Sequence, residues 1–439
     1  MFKIAYMTIE ELYQCYQEQP IVSTDTRQIV PGSLFFALKG ERFNANAFAA
    51  QALENGARKA VVDEAAYAVD DRYILVDDTL ACLQELARYH RQQLQIPVVG
   101  ITGTNGKTTT KELLYAVLSQ QFKTYATRGN LNNHIGVPLT LLAIDSSIEM
   151  AIVEMGANHL EEIAFLCTIA QPSCGLITNV GKAHLEGFGS FEGVKKTKGE
   201  LYDYLKAHDG QLFLQGDNTH LQAMEQARGI NRIVRYGFSD TNDVQGHLEQ
   251  ADPFLAVSWK TRDALAFQTV QTQLIGAYNT ENILAAVAVG QFFGVSDTQI
   301  NQGLAAYKPA NNRSQVTITQ HNTLIADYYN ANVSSMEAAL ANMEVLAAQQ
   351  KVIILGDMFE LGVDSPAEHK RVMERALALG ADTVIFVGEA FYALKNDRAY
   401  FYRTTQEAKE KLIEKPVIGS TVLLKASRGM AFEQLITVL

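Results

Sequence analysis

One lysine and a run of threonines behind three glycines give the stretch with the clearest chemistry: Gly100-Ile101-Thr102-Gly103-Thr104-Asn105-Gly106-Lys107-Thr108-Thr109-Thr110. A glycine-rich turn ending in Gly-Lys-Thr aims backbone N–H groups and a helix N-terminus at phosphate oxygens, which is how a nucleoside triphosphate is held. Lys107 supplies a cation for the β and γ phosphates, and the Thr108 hydroxyl stands where a magnesium ligand is needed. Gly103, Thr104, Asn105, Gly106 and Thr109 complete the expected ATP contacts. The spacing departs from the usual pattern, because Ile101 stands where a glycine is expected and glycines stand instead at Gly100 and Gly103.

Further candidates follow apolar runs. Glu154 follows the run 150–153. In a parallel α/β sheet ligands collect at the carboxyl ends of strands, so this acid is placed to hold the nucleotide's metal, an ordinary loop carboxylate being the alternative. His184 follows the run 175–180 and reads as a ligand of a second cation or as a structural histidine. Lys195, Lys196 and Lys198 lie on a helix expected over 191–205; three lysines there read by default as a solvated face, and the residues alone do not choose among them. Asn279 or Thr280 reads as a cap for a helix over 283–293, while Asn282 is a possible purine contact. Arg313 and Asp327 either pair with each other, the simpler reading, or reach a ribose and phosphates across a cleft.

These residues need a scaffold of alternating elements. The phosphate loop requires a strand over 97–101 and a helix over 110–122, where Leu113, Leu114, Val117 and Leu118 recur at helical spacing. Strand-like runs at 33–38, 60–62 and 73–76, with a helical run at 47–55, form a small α/β domain, and a helix over 79–94 connects it to the loop strand. Strands at 151–153, 174–179, 211–214 and 233–236 alternate with helices, which favours a mainly parallel sheet. A third α/β unit of Rossmann-like rhythm, lacking Gly-x-Gly-x-x-Gly, has strands at 323–326, 352–355, 383–387 and 421–425 and helices at 334–348 and 368–379. The expected fold is therefore three α/β domains: 1–80, 81–308 and 309–439, with the P-loop in the central one.

Bulk properties narrow the partners. At 439 residues about three domains are expected, and 47% hydrophobic with 19% charged residues excludes a disordered chain. A net charge of -11 argues against nucleic acid but leaves small anions open to a local cluster of cations. Cys15, Cys82, Cys167 and Cys174 show no Cys-x-x-Cys spacing and read as reduced, buried thiols. The first residues form no secretory signal and no run reaches the ~20 apolar residues of a membrane span, so a cytoplasmic monomer is expected.

Several long motifs, in order along nearly the whole chain, resemble one family. Gly103-Thr104-Asn105-Gly106-Lys107-Thr108-Thr109 is similar to the nucleotide loop of the Mur ligases and of the related folylpolyglutamate synthetases. Asn130-Leu131-Asn132-Asn133-His134-Ile135-Gly136-Val137-Pro138, Glu154-Met155-Gly156-Ala157-Asn158-His159, Ala183-His184-Leu185-Glu186-Gly187-Phe188-Gly189-Ser190 and Leu355-Gly356-Asp357-Met358-Phe359-Glu360-Leu361-Gly362 resemble the Mur ligase branch that adds D-alanyl-D-alanine to UDP-N-acetylmuramoyl-tripeptide. Asp25-Thr26-Arg27 followed by Pro31-Gly32-Ser33-Leu34-Phe35-Phe36 looks like its UDP-binding domain.

The resemblance implies ATP-dependent amide formation through an acyl phosphate, two magnesium ions, Glu154 and His184 as metal ligands, and carbamylation of Lys198, which would turn an ammonium into an anion able to ligate metal. It also implies adenine contact by Asn282, ribose and phosphate contacts by Arg313 and Asp327, and substrate contacts by Asp25, Arg27, Asn130, Asn132, Asn133, Ser427 and Arg428. Thr26, Asn44-Ala45-Asn46, Val333 and Ala426 depart from the family's usual serine, Asp-Gly-His or Asp-Gly-Asn, proline and glycine. Competing expectations are another Mur ligase, a folylpolyglutamate synthetase-like ligase, a P-loop kinase or NTPase, and a nucleotide-binding scaffold without catalysis.

Overall fold

A computed structural model describes residues 7–41, 43–182 and 185–439. Three separate main sheets run in chain order, with helices packed around them. The first has four parallel strands in the order Val22–Ser23, Leu34–Phe36, Lys59–Val62, Tyr73–Leu75. Leading into it is a helix the sequence reading missed, Ile9–Glu18, started by a capping box in which Thr8 and Glu11 bond each other's backbone N–H. Its Tyr13 and Tyr16 pack on the connecting helix Thr79–Gln93, where both rings approach His90.

The central sheet has nine strands in the order Gln268–Gln271, Ala256–Thr261, Val244–Gln250, Ile233–Gly237, Gln211–Gln215, Cys174–Ile177, Val98–Thr102, Met150–Glu154, Thr124–Ala126. Both faces are covered, so successive residues of one strand enter opposite cores: Val98 packs with the helices of one face and Val99 with those of the other. This explains why these strands read as unbroken apolar runs. Seven strands are parallel, but the last two pairings, Val244–Gln250 with Ala256–Thr261 and the latter with Gln268–Gln271, are antiparallel. That hairpin edge, and the short strand Thr124–Ala126, are additions to the expected topology.

The third sheet runs Gln315–Ile318, Thr323–Ala326, Thr421–Lys425, Lys351–Gly356, Thr383–Val387, Tyr400–Tyr402, with only the first pairing antiparallel. Four of its strands match the sequence expectation closely; Gln315–Ile318 and Tyr400–Tyr402 were not anticipated. The central helix expected from 283 begins at Asn279, so Asn279 and Thr280 lie inside it and do not cap it; the cap position is Tyr278, which makes no side-chain capping bond. Its residues Asn282–Gly290 are all buried, which removes the one-sided periodicity that would have marked its start. Cys15, Cys167 and Cys174 are free and buried, and Cys82 is free and half-buried.

Candidate functional site

Strand register brings the candidates to one sheet edge. Ile101 pairs with Glu154 and Thr102 with Ile177, so the phosphate loop, the turn after Glu154 and the turn after Ile177 leave the carboxyl ends of three adjacent strands together. The third turn holds the first. Thr178 Oγ1 donates to the Asn105 carbonyl at 2.6 Å, Asn105 N–H donates to Asn179 Oδ1 at 2.9 Å, and Thr104 N–H donates to the Asn179 carbonyl at 2.9 Å. Gly103 has φ +144, and a Cβ there would lie 2.0 Å from Thr178 Oγ1, so only glycine lets the loop cross the strand end. Gly106 has φ +78 and opens the helix Lys107–Leu118.

Lys107 is half-buried, and its Nζ donates to the carbonyls of Gly103 at 2.7 Å and Thr104 at 3.1 Å. Burial lowers its pKa to about 8; Arg313 adds to the depression and Glu154 opposes it. Thr108 is 5% exposed, at the second position of the same helix. Glu154 is 1% exposed. Its Oε1 accepts from Asn132 Nδ2 at 2.8 Å, while Oε2 is buried with no hydrogen-bond partner among the described residues. A buried carboxylate oxygen without a hydrogen-bond partner is costly, and its hard oxygen donor suits a divalent ion.

Lys198 does not belong to a solvated face. Lys195 bridges Glu192 and lies over Phe191, and Lys196 is exposed, but Lys198 is buried at 2% on the face of helix Phe191–Ala207 that carries Val194, Leu201 and Leu205. The i, i+4, i+7 spacing from Val194 was the signal that could have separated it from the other two. Its Nζ lies 3.4 Å from the carbonyl of Ala157, a cleft-lining residue, and 5.3 Å from the Phe188 ring centre. Burial, and secondarily Lys107, lower its pKa to about 7 against the opposing pull of Glu162 and Glu200. His184 lies outside the described residues. Among the described residues no group of three His, Cys, Asp or Glu side chains is gathered as a metal site.

A cleft of about 620 Å³ opens between the central and third sheets. Thr104, Asn105, Gly106, Lys107, Thr109, Asn130, Asn132, Asn133 and Glu154 line it from the central unit, and Arg313 and Asp327 from the third. Asn133 is partly spent on structure, its Oδ1 accepting from Ile135 and Gly136 N–H. Asn282 borders the cleft too, but its amide is engaged: Oδ1 accepts from Thr110 Oγ1 at 3.0 Å and Nδ2 donates to Asn279 Oδ1 at 2.8 Å.

Arg313 and Asp327 do not pair. Asp327 Oδ2 meets Lys425 Nζ at 2.7 Å, whereas Arg313 stacks its guanidinium 3.9 Å above the Tyr329 ring. Lys425, 1% exposed, ends the strand Thr421–Lys425; the strand-end rule applied to Glu154 would have found it. Ser427 is buried and accepts from Phe359 N–H at 3.0 Å, and Arg428 reaches the Tyr329 hydroxyl at 3.4 Å. Asp25 and Arg27 form a bidentate pair on the first unit, with the arginine side chain 86% exposed, and are not among the cleft's lining residues.

Models of known families match three consecutive stretches: Mur ligase family, catalytic domain, over residues 20–91; Mur ligase middle domain over 101–290; and Mur ligase, glutamate ligase domain, over 312–428. The UDP-N-acetylmuramoyl-tripeptide–D-alanyl-D-alanine ligase of Escherichia coli is 37% identical over 431 residues, covering 95% of this chain and 93% of the relative. A crystal structure of MurF from Acinetobacter baumannii superposes with a TM-score of 0.86 at 31% identity, covering 99% of both chains. The MurF ligase of Thermotoga maritima in complex with ADP superposes with a TM-score of 0.83 at 26% identity, covering 95% of this chain and 96% of that one.

Proposed function

From the premise that this chain belongs to the Mur ligase family, we propose that it is an ATP-dependent, ADP-forming ligase that joins D-alanyl-D-alanine to UDP-N-acetylmuramoyl-tripeptide in peptidoglycan precursor synthesis. The observation that carries this is likeness to ligases of that name over almost the whole chain, not over the nucleotide loop alone. It disfavours the kinase, NTPase and scaffold alternatives and sets folylpolyglutamate synthetases aside.

A carboxylate is a poor electrophile. Transfer of the γ-phosphoryl from ATP to an oxygen of the tripeptide's terminal carboxylate gives ADP and an acyl phosphate; the dipeptide amine then attacks the carbonyl carbon, loses a proton, and phosphate leaves as the amide forms. The N–H groups of Gly103 to Thr109 and the Lys107 ammonium hold the phosphates. Arg313 and Asp327 contact ribose and phosphates, and Asn282 the adenine side, with the bonds to Thr110 and Asn279 fixing its orientation.

The donor set suits magnesium, which prefers one or two protein oxygens beside phosphates and waters. Glu154, with its bare Oε2, and Thr108 would hold one ion; a carbamate on Lys198, with His184, would hold a second. Bound magnesium would supply charge balance for the transferring phosphoryl group. Carbamylation needs a neutral amine, and the depressed pKa of Lys198 supports it.

Asn130, Asn132, Asn133, Ser427 and Arg428 serve the acceptor and amine substrates, while Asp25 and Arg27 of the first unit serve the UDP end. The three functional units are assigned to 1–80, 81–308 and 309–439, and closure of the third over the cleft excludes water from the acyl phosphate. A cytoplasmic monomer completes this reading; among the described residues no helix is long and apolar enough to cross a membrane.

The test is release of phosphate from ATP by purified protein. It should require both the UDP-muramoyl-tripeptide and D-alanyl-D-alanine and vanish in Lys107→Ala. Release that ignores the dipeptide, or none at all, overturns the assignment. Parallel assays with lysine- and diaminopimelate-containing tripeptides identify the acceptor.

A further inference from the structure

Three side chains from two distant parts of the chain close a ring of hydrogen bonds at the tip of the phosphate loop. Asn332 Nδ2 donates to Asn105 Oδ1 at 2.8 Å, Asn105 Nδ2 donates to Ser334 Oγ at 2.7 Å, and Ser334 Oγ donates to Asn332 Oδ1 at 2.9 Å. All three bonds run the same way round, so each strengthens the next. The direction is set by the backbone: Asn332 Oδ1 also accepts from Ser335 N–H at 2.9 Å, which fixes the oxygen of that amide and through it the other two groups.

Both supports of the ring are stiff. Asn105 is pinned through its own N–H and carbonyl to Asn179 and Thr178, as described above. On the other side Asn332 caps the helix Val333–Val345. The approach is close as well, since a Cβ on Gly181 would sit 3.0 Å from Ser334 Oγ. The loop that cradles phosphate and the first turn of a third-unit helix are thus joined through neutral groups of matched polarity, and two of the ring's three bonds pass through the hydroxyl of Ser334.

We propose that Ser334 is a positioning residue of the reaction: through Asn105 it ties the phosphate loop to the third unit, so that the loop's nucleotide-binding shape and closure of the cleft behave as one cooperative element. This rests on the reading of the loop as the ATP site. Ser334 itself touches no substrate in this scheme; it sets where Asn105 stands.

Ser334→Ala deletes the shared hydroxyl and adds no bulk. Three readouts separate positioning from mere adhesion: ATP binding by calorimetry, the KM for ATP against kcat, and the distance between fluorescent labels on the central and third units with and without ATP. The variant should weaken ATP binding by about two- to tenfold, the scale of one neutral hydrogen bond, and reduce the ATP-dependent change in label distance. Asn105→Ala should weaken ATP binding by at least as much, and Asn105→Ala with Ser334→Ala should be no worse than Asn105→Ala alone. Unchanged ATP binding and label distance in Ser334→Ala, or effects that simply add in the double variant, overturn the proposal. If wild-type protein binds no ATP, the ATP-site reading fails; if wild type binds and Ser334→Ala matches it in both ATP binding and label distance, only the present inference fails.

Discussion

Replacing Lys198 by methionine should make the protein more stable and inactive at once. The lysine is 2% exposed on an apolar helix face, and burial first, then Lys107, lowers its pKa from 10.5 to about 7. The difference of about 3.5 units, at about 1.36 kcal/mol per unit, sets a ceiling of about 5 kcal/mol on what the buried ammonium costs the fold. Methionine keeps the packing of the stem but gives up the bond to the Ala157 carbonyl and the approach to Phe188, about 1 kcal/mol each. A net gain of at most about 3 kcal/mol follows at low pH.

The sign is fixed by the direction of the shift. Because the folded pKa lies below the unfolded one, the penalty is complete below about pH 7, shrinks as pH rises, and vanishes above 10.5. Urea unfolding in buffers stripped of carbon dioxide is the assay, since a carbamate would remove the ammonium. Lys198→Met should unfold at higher urea than wild type at pH 6.5, with the gap narrowing at pH 9.5, and should release no phosphate from ATP. A variant less stable than wild type at pH 6.5, or a gap indifferent to pH, refutes the buried ammonium; undiminished turnover refutes the carbamate.

Three other outcomes are expected. His90 Nε2 lies 2.8 Å from the Ile144 carbonyl and Nδ1 3.1 Å from the Tyr13 hydroxyl, and burial lowers its pKa, so the neutral ring belongs to the fold; stability is complete above about pH 6.5 and declines below it, and the urea midpoint should fall more between pH 7.5 and 5.5 in wild type than in His90→Gln. Lys425→Met strands the Asp327 carboxylate and should cost about 3 kcal/mol in unfolding measurements, most of it recovered in Asp327→Leu with Lys425→Met; an undiminished loss in the double variant would contradict the pairing. Gly103→Ala should weaken ATP binding more than tenfold by calorimetry, and adding Thr178→Ala should restore only part of it, because the closest clash is relieved while φ +144 remains and the bond to the Asn105 carbonyl is lost.

Legibility of this chain followed the distance over which each interaction reaches. The loop, its strand and its helix are contiguous, and Thr323–Ala326, Thr383–Val387 and Thr421–Lys425 announce themselves as apolar runs buried on both faces. The strand Val244–Gln250 does not: its burial fades toward a polar end, and its place depends on pairing with Ala256–Thr261. Lys198 was hidden by composition, three lysines suggesting solvent where helical spacing indicated core. The Asp327 partner lies 98 residues away and the Asn105 partners 227 and 229, beyond the reach of any local pattern. The simpler reading, a pair of Asp327 with Arg313, therefore failed, and the ring went unseen.

Lys107 begins the helix that leaves the phosphate loop. Two of its ammonium's three N–H donors already meet the carbonyls of Gly103 and Thr104, so a phosphate drawing it outward mostly trades partners instead of adding to their number. Such a trade yields little net heat from hydrogen bonding, and attraction must come from opposite charges meeting in a poorly hydrated cradle. Nucleotide capture by this loop should accordingly fade as ionic strength rises, in the manner of a charge-driven exchange more than of a lock receiving its key.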